Sequence, residues 1–264
     1  MARPRPPASP SRSSLAHRQA QPLLPDSLSL SAWEGATGHV DLASVNGVGK
    51  RRIGGVRMAE VVLFHSVLGL RPGVIGAADQ LREGGHTVHT PDLFEGEVFD
   101  SIEDGMRKEE EIGFREIVSR ARESVAGLPQ GLIYAGFSMG VTSAELLAAE
   151  RPGAAGAVLM HGAVPVEALE EYFGVQRWPD RVPVQVHYAV DDPWVEAEGE
   201  VATLGDTVRG TGSDFEVYVY PGSGHLFADP DFSDYDRASS EEMWERVISF
   251  LNKIDARASE ERAR

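Results

Sequence analysis

The 264-residue chain contains no cysteine. This absence excludes disulfides, Cys-ligated zinc, iron–sulfur clusters and catalysis by a thiol, so any covalent nucleophile must be another residue type. The chain also lacks a long apolar run, and it has few basic residues, 25 Lys and Arg against 41 Asp and Glu. A net charge of minus 16 repels phosphate backbones and anionic membranes. We therefore predict a globular protein with neither a nucleic-acid nor a membrane partner.

The charge is divided unevenly along the chain. Residues 1–57 hold eight basic and three acidic groups, a net of plus 5, whereas residues 58–264 hold 17 basic and 38 acidic groups, a net of minus 21. The first segment is rich in Pro, Ser, Arg and Gly and has neither helical nor alternating periodicity. Such a segment cannot bury enough apolar area to offset its ordering entropy. We predict a disordered, low-complexity extension over 1–57 and one folded domain over 58–264.

Three explanations of the extension compete. A secretory signal is not predicted, because Pro and Ser interrupt the leucines between Leu23 and Leu30. An organellar transit peptide and an upstream extension of the reading frame both fit its Arg and Ser content. Met58 directly precedes the first strand-like run, which favours a start there. We expect a cytoplasmic protein that is a monomer or a homodimer.

From Met58 onward, short β-rich runs alternate with helical patterns. A repeated strand–helix order indicates a mostly parallel sheet flanked by helices, and about 207 residues suffice for one such domain. The pattern predicts strands at 61–65, 87–90, 132–135, 157–160, 184–189 and 215–220, and helices at 74–83, 105–126, 140–150, 196–209 and 240–254.

The pentapeptide Gly136-Phe-Ser-Met-Gly140 follows a buried strand pattern and precedes an apolar helix pattern. A serine on such a sharp turn has strained backbone angles, and glycines two residues away on either side remove side chains that would collide with the strand and helix. Its hydroxyl would lie at the helix N-terminus, which favours developing negative charge. The alternative is a glycine-rich turn with an N-capping serine. We predict Ser138 as a nucleophile.

A serine nucleophile needs a base, and the base needs an acid that orients it. Asp191 and Asp192 follow the strand at 184–189, and His225 follows the last strand in a Gly-Ser-Gly-His turn. Serine, acid and histidine occur in the chain order of the α/β hydrolases, at the carboxyl ends of parallel strands. We choose Asp192 as the acid because it begins the turn before Pro193.

The attacked carbonyl needs hydrogen-bond donors for its oxyanion. The expected donors are the backbone N–H of Met139, which follows the nucleophile, and that of Val67, in the loop after the first strand. Pocket candidates are the aromatic residues near the acid and base and between the fourth and fifth strands, together with the loop serine: Ser66, Trp178, Trp194 and Phe227. Each aromatic could equally belong to the core. The position of His161 could edge the pocket or simply end its strand.

The sequence indicates no cofactor or metal. His86 and His89 are three residues apart in a predicted strand, where that spacing places them on opposite faces, so a metal pair is not expected.

Five segments together resemble the dienelactone hydrolase family of small α/β hydrolases. The resemblance covers about residues 59–252 and implies an α/β-hydrolase fold without a large cap. It also implies Ser138 as nucleophile, Asp192 as acid and His225 as base, with Val67 and Met139 as oxyanion donors. The segments are His65-Ser-Val-Leu-Gly69-Leu-Arg-Pro-Gly73, Pro91-Asp-Leu-Phe-Glu-Gly96, Gly136-Phe-Ser-Met-Gly140, Asp192-Pro-Trp-Val195 and Gly224-His-Leu-Phe-Ala228.

Two residues depart from the family pattern. Family enzymes that open dienelactones typically carry cysteine where this chain has Ser138, and glutamate where it has Ser66. That glutamate helps to control the thiol, and a serine nucleophile has no thiolate to manage, so the two departures agree. The resemblance therefore implies hydrolysis of a small-molecule ester or lactone rather than dienelactone specificity. The alternatives are a non-catalytic binding protein of the same fold and an acyl-transferring or perhydrolase-type relative.

Overall fold

A computed structural model describes residues 58–263, so the prediction for residues 1–57 falls outside the described residues. Six strands form one sheet in the order β2-β1-β3-β4-β5-β6, and every neighbouring pair is parallel. This sheet confirms the α/β fold class predicted from the alternating pattern. The strands are β1 Glu60–Phe64, β2 Thr87–His89, β3 Leu132–Phe137, β4 Gly156–Met160, β5 Val184–Ala189 and β6 Phe215–Tyr220.

The central strands β3, β4 and β5 are buried at every residue. Helices therefore cover both faces, as expected of a parallel sheet whose strands read as apolar runs. Alternate residues of β1 separate into two cores: Val62 and Phe64 belong to one, Val61 and Leu63 to the other. The helices are α1 Pro72–Glu83, α2 Ile102–Ile112, α3 Phe114–Val125, α4 Met139–Glu150, α5 Val166–Phe173, α6 Ala202–Gly210 and α7 Arg237–Ala263.

The single helix predicted over 105–126 is wrong, because two helices occupy this stretch. Helix α2 ends at Ile112 and α3 begins at Phe114, with Gly113 between them at φ +86°. A left-handed backbone angle interrupts the helical hydrogen bonds and is accessible to glycine at little cost. The side chain of Ser101 caps α2 by accepting from the Asp104 N–H.

Three further differences concern the second half of the chain. Helix α5, eight residues that follow Pro165, was not predicted, and it contains the aromatic residues Tyr172 and Phe173. The predicted helix 196–209 begins with a π-helical turn, Ala197–Val201, before α6. Helix α7 is longer than the predicted 240–254. No helix within residues 58–263 is long and apolar enough to cross a membrane.

The fold places the candidate residues at one edge of the sheet. Ser138 follows β3, His161 follows β4, Asp192 lies shortly after β5, and His225 lies shortly after β6. Because all strands are parallel, these segments emerge at their common carboxyl ends, where open α/β sheets place their sites. The loop after β1, which begins at His65, emerges at the same edge.

Candidate active site

Ser138 connects β3 to α4 in a strained turn. Its φ is +49° and its ψ is −114°, a conformation that residues with a Cβ rarely adopt. The Ser138 N–H donates to the Met160 carbonyl oxygen over 2.8 Å, which ties the turn to the end of β4. The packing around the turn therefore maintains its strain.

The two glycines of the pentapeptide permit this close packing. A methyl group at Gly136 would collide with the Gly140 carbonyl oxygen. A methyl group at Gly140 would lie 2.6 Å from the His65 carbonyl oxygen and 2.7 Å from that of Phe64. The first turn of α4 thus packs directly on the end of β1, which brings the loop after β1 close to Ser138.

The structure brings Ser138, His225 and Asp192 together although they lie far apart in sequence. Ser138 Oγ lies 2.8 Å from His225 Nε2, and His225 Nδ1 lies 2.8 Å from Asp192 Oδ2 and 3.0 Å from Oδ1. The three residues are only 3%, 4% and 7% exposed, respectively. A carboxylate can only accept, so Nδ1 carries the proton and Nε2 can accept the serine hydroxyl proton. This is the arrangement of a nucleophile, a base and an orienting acid.

Hydrogen bonds between carboxylate side chains and backbone N–H groups hold Asp192 and His225 in place. Asp192 Oδ1 accepts from the Trp194 N–H over 2.9 Å, and the His225 N–H donates to Asp234 Oδ2 over 2.9 Å. Asp191 is exposed, and its N–H donates to the Gly222 carbonyl oxygen. The structure therefore brings Asp192 rather than Asp191 to the imidazole.

The two expected oxyanion donors lie beside the turn. Met139 is the first residue of α4, so its N–H has no acceptor within the helix. The N–H of Val67 donates no hydrogen bond within the described part of the chain. The Val67 carbonyl faces α2, where a methyl group at Gly105 would collide with its oxygen. Both N–H groups are therefore free to donate to a developing oxyanion.

The four pocket candidates separate into two groups. The Trp194 ring centroid lies 6.0 Å from that of His225, and Ser66 lines a small cavity with Phe137 and Leu226. In contrast, Trp178 is fully buried in the core, and its indole N–H donates to the Val182 carbonyl oxygen. Trp178 therefore belongs to the hydrophobic core.

Phe227 is also a core residue, because it is 2% exposed and packs on Tyr220 and His161 at ring-centroid distances of 4.9 and 4.6 Å. The ring of His161 lies 6.1 Å from that of His225, and its two buried nitrogens have no hydrogen-bond partner among residues 58–263. Burial lowers the pKa of His161 well below its ordinary value. The ring of His161 is therefore neutral and adds no positive charge beside His225.

Sequence reasoning missed the part that Arg71 plays at this edge. Its buried guanidinium donates to the carbonyl oxygens of Phe99 and Asp231 over 2.8 and 2.5 Å. Arg71 thereby joins the loop after β1 to the loop before α2 and to the segment that follows His225. No sequence signal marks this role, because the partners are backbone carbonyls 28 and 160 residues away.

A buried carboxyl lies on α4, the helix that follows Ser138. Both carboxyl oxygens of Glu145 accept from the Val164 N–H, over 3.0 and 3.1 Å. Burial, reinforced by the nearby charge of Glu200, raises the pKa of Glu145 well above its ordinary value. Burial also raises the pKa of Glu200, to about 7. Within residues 58–263, no group of three or more His, Asp or Glu side chains is arranged to hold a metal ion.

The sequence pattern of the dienelactone hydrolase family matches residues 51–255, so the chain belongs to this family. The chain is 30% identical over 125 residues to a Saccharolobus solfataricus protein provisionally named carboxymethylenebutenolidase. That match covers 47% of this chain and 44% of the relative, so the chain spans less than half of the relative's length.

Solved structures share the fold. One is a dienelactone hydrolase-like promiscuous phosphotriesterase from metagenomic libraries, with 21% identity and a TM-score of 0.60 over 74% of this chain and 86% of that one. Another is a propionate-bound esterase from Thermogutta terrifontis, with 15% identity and a TM-score of 0.54 over 75% of this chain and 84% of that one. At these identities the likeness concerns the α/β-hydrolase fold.

Proposed function

We propose that the protein is a serine hydrolase that cleaves a carboxylic ester or lactone of a small molecule through Ser138, His225 and Asp192. The observation that carries this proposal is the pair of hydrogen bonds, each 2.8 Å, that links Ser138 Oγ to His225 and His225 to Asp192 Oδ2. A buried carboxylate on one side of the imidazole and a hydroxyl within hydrogen-bond distance on the other favour proton transfer from the hydroxyl to the imidazole.

In the first half-reaction, Ser138 Oγ attacks the ester carbonyl carbon while His225 Nε2 takes the hydroxyl proton. Asp192 stabilises the imidazolium, and the N–H groups of Val67 and Met139 donate to the oxyanion. The carbon–oxygen bond to the leaving group breaks, and His225 returns the proton to the departing alkoxide. An acyl-enzyme on Ser138 remains.

In the second half-reaction, water attacks the acyl-enzyme carbonyl and His225 accepts its proton. Collapse of the intermediate releases the carboxylic acid, and the proton returns to Ser138 Oγ. For a lactone, the leaving alcohol remains part of the acyl group throughout both half-reactions, so a single hydroxy acid is the product.

A serine at position 138, in the turn between β3 and α4, agrees with the absence of cysteine from the whole chain. The loop after β1 carries Ser66 rather than an acidic side chain, and Ser66 Oγ accepts from the Leu68 N–H over 3.2 Å. Ser66 therefore helps to shape the loop that contains Val67. This arrangement suits an alcohol nucleophile, because a neighbouring base activates an alcohol, whereas a thiol is activated by a lowered pKa.

The Ser138→Ala variant tests the proposal. We expect hydrolysis of p-nitrophenyl acetate to fall at least about 10³-fold, because both the nucleophile and the acyl-enzyme are lost. A fluorophosphonate probe should add one phosphonyl group to Ser138 in the wild type, as mass spectrometry of the peptide would show. The Ser124→Ala variant, altered on α3, should keep both properties.

Full activity of Ser138→Ala would contradict the proposal. Absence of labelling in a folded wild-type protein would favour a non-catalytic binding protein. If esters formed from added alcohol, or peracids from added peroxide, exceeded the free acid, the protein would be an acyltransferase or a perhydrolase.

A further inference from the structure

His65, at the end of β1, is fully buried, and protein groups occupy both of its ring nitrogens. Nε2 lies 2.9 Å from the Leu93 backbone nitrogen, and Nδ1 lies 2.7 Å from the Ser66 carbonyl oxygen. The Leu93 N–H can only donate, so Nε2 is the acceptor and carries no proton. Nδ1 therefore carries the proton and donates it to the Ser66 carbonyl.

The Ser66 carbonyl belongs to the peptide unit whose N–H is that of Val67. In a planar trans peptide the C=O and N–H bonds point in opposite directions. The same carbonyl also accepts from the Gly69 N–H over 3.1 Å, so two donors lie on its side of the peptide. The Val67 N–H consequently points away from both donors, with no acceptor of its own among residues 58–263.

We infer that His65 is a positioning residue: by donating to the Ser66 carbonyl and accepting from Leu93, it holds the Ser66–Val67 peptide so that its N–H can bind the oxyanion. This inference rests on the proposed serine hydrolase function. It assigns His65 no contact with substrate and no proton transfer, because its ring is fully buried and both nitrogens are occupied.

Three further points support this role. Burying an imidazole at the end of β1 costs free energy that an apolar residue there would not cost. The two hydrogen bonds of His65, to Ser66 and Leu93, offset this desolvation penalty. Burial also lowers the pKa of His65 below its ordinary value, which preserves the neutral ring needed for an acceptor at Nε2. The Phe94 ring, edge-on at 5.1 Å between centroids, restricts the ring orientation.

A pair of variants separates the two hydrogen bonds. The amide nitrogen of Asn at position 65 can occupy the place of Nδ1 and donate to the Ser66 carbonyl. The amide oxygen of Gln can occupy the place of Nε2 and accept from Leu93, but Gln has no donor near Ser66. His65→Asn therefore keeps the bond that orients the oxyanion donor, and His65→Gln loses it.

We expect His65→Gln to lower kcat for p-nitrophenyl acetate by about 10- to 100-fold, less than complete loss of an oxyanion donor, while KM changes by less than about twofold. A trifluoromethyl ketone, which forms a tetrahedral adduct with serine, should bind more weakly by a similar factor. His65→Asn should retain kcat within about threefold. His86→Gln is the matched control, because His86 is another buried histidine but lies before β2, at the opposite edge of the sheet.

Equal losses of kcat in His65→Asn and His65→Gln, or losses that follow the melting temperature alone, would overturn the inference. If the His65 variants do not fold, NMR of the wild type decides. The Val67 amide proton should shift downfield when the ketone adduct forms, and an unchanged Val67 resonance would overturn the inference. Failure of the proposed function is recognised separately, because then wild-type Ser138 would not react with the ketone at all.

Discussion

The two halves of the candidate active site are held in place by different groups. The elbow half consists of Ser138, its flanking glycines and the loop 65–69, and it depends mainly on backbone atoms in close contact. The relay half consists of Asp192 and His225, and it depends on side-chain hydrogen bonds. The elbow half should therefore be sensitive to any added atom, and the relay half to any change of chemical group.

This difference corresponds to the separate requirements of the proposed reaction. An oxyanion needs N–H groups at fixed positions, which a rigid backbone provides without a change of charge. A proton transfer needs groups whose protonation can change, which only side chains provide. Gly140→Ala changes the elbow half, Asp192→Asn changes the relay half, and Glu145→Gln changes helix α4, which follows the elbow half. The expected effects decrease in that order.

The largest effect is expected from Gly140→Ala in the elbow half. The new methyl group would meet the His65 and Phe64 carbonyl oxygens at 2.6 and 2.7 Å, and these are backbone atoms that cannot move away. We expect a loss of at least about 3 kcal/mol in the free energy of unfolding, measured by urea denaturation, together with loss of esterase activity.

Gly76→Ala is the matched control for this prediction. Gly76 lies within α1, and no atom outside its own helix lies within 4 Å of the position of an added Cβ. Alanine there should stabilise the protein by up to about 1 kcal/mol, because alanine favours a helix over glycine. A Gly140→Ala protein as stable as the wild type would contradict the close packing of Gly140 on the carbonyl oxygens of Phe64 and His65.

In the relay half, Asp192→Asn changes the chemistry and preserves the shape. An amide can donate to Nδ1 and so favour the tautomer with its proton on Nε2, which cannot accept the serine proton. We expect kcat for p-nitrophenyl acetate to fall about 10³- to 10⁴-fold, with the melting temperature little changed.

The neighbouring Asp191→Asn variant removes a carboxylate from an exposed residue, and its kcat should stay within about twofold of the wild type. Comparable losses in both variants would contradict the assignment of Asp192 as the acid and would favour a general effect of negative charge.

The smallest effect concerns Glu145, a buried carboxyl within the helix that follows the elbow. A carboxyl whose pKa is raised on folding contributes stability at low pH that is lost as pH rises through its folded pKa. Burial raises the pKa of Glu145 above 4.5, and that of Glu200 to about 7. Wild-type stability should therefore decrease as the pH rises from about 5 through about 7. Glu145→Gln, which stays neutral, should make this decrease smaller.

Thermal unfolding at pH 5 and pH 8 measures this difference as a smaller fall in melting temperature for Glu145→Gln than for the wild type. Glu123→Gln on α3 is the control, because Glu123 is exposed. Identical pH dependence of the melting temperature in Glu145→Gln and the wild type would show that Glu145 titrates as an ordinary surface carboxyl.

The alternation of apolar runs predicted all six strands, and their bounds differ from the structure by at most two residues at either end. The helix predictions failed at the junction between α2 and α3 and at helix α5. Helical periodicity continues across Gly113, and only the φ of +86° there separates α2 from α3. Helix α5 has just eight residues, too few for periodicity to distinguish it from a loop.

The candidate site was predicted less completely than the sheet. The chain order placed Ser138, Asp192 and His225 at the ends of the right strands, and the structure brings their side chains within hydrogen-bond distance. The aromatic candidates were harder to assign, because an aromatic residue near a strand end can face either a pocket or the core. Trp178 and Phe227 belong to the core.

The sequence by itself determined the parallel α/β sheet, the strained turn at Ser138 and the exclusion of a thiol nucleophile. These features depend on composition and on residues within a few positions of each other. Only the tertiary structure decided that His65 binds Leu93 and that Arg71 joins three loops. Such contacts join residues 28 to 160 positions apart, and their geometry is set by how the strands and helices pack rather than by any local pattern.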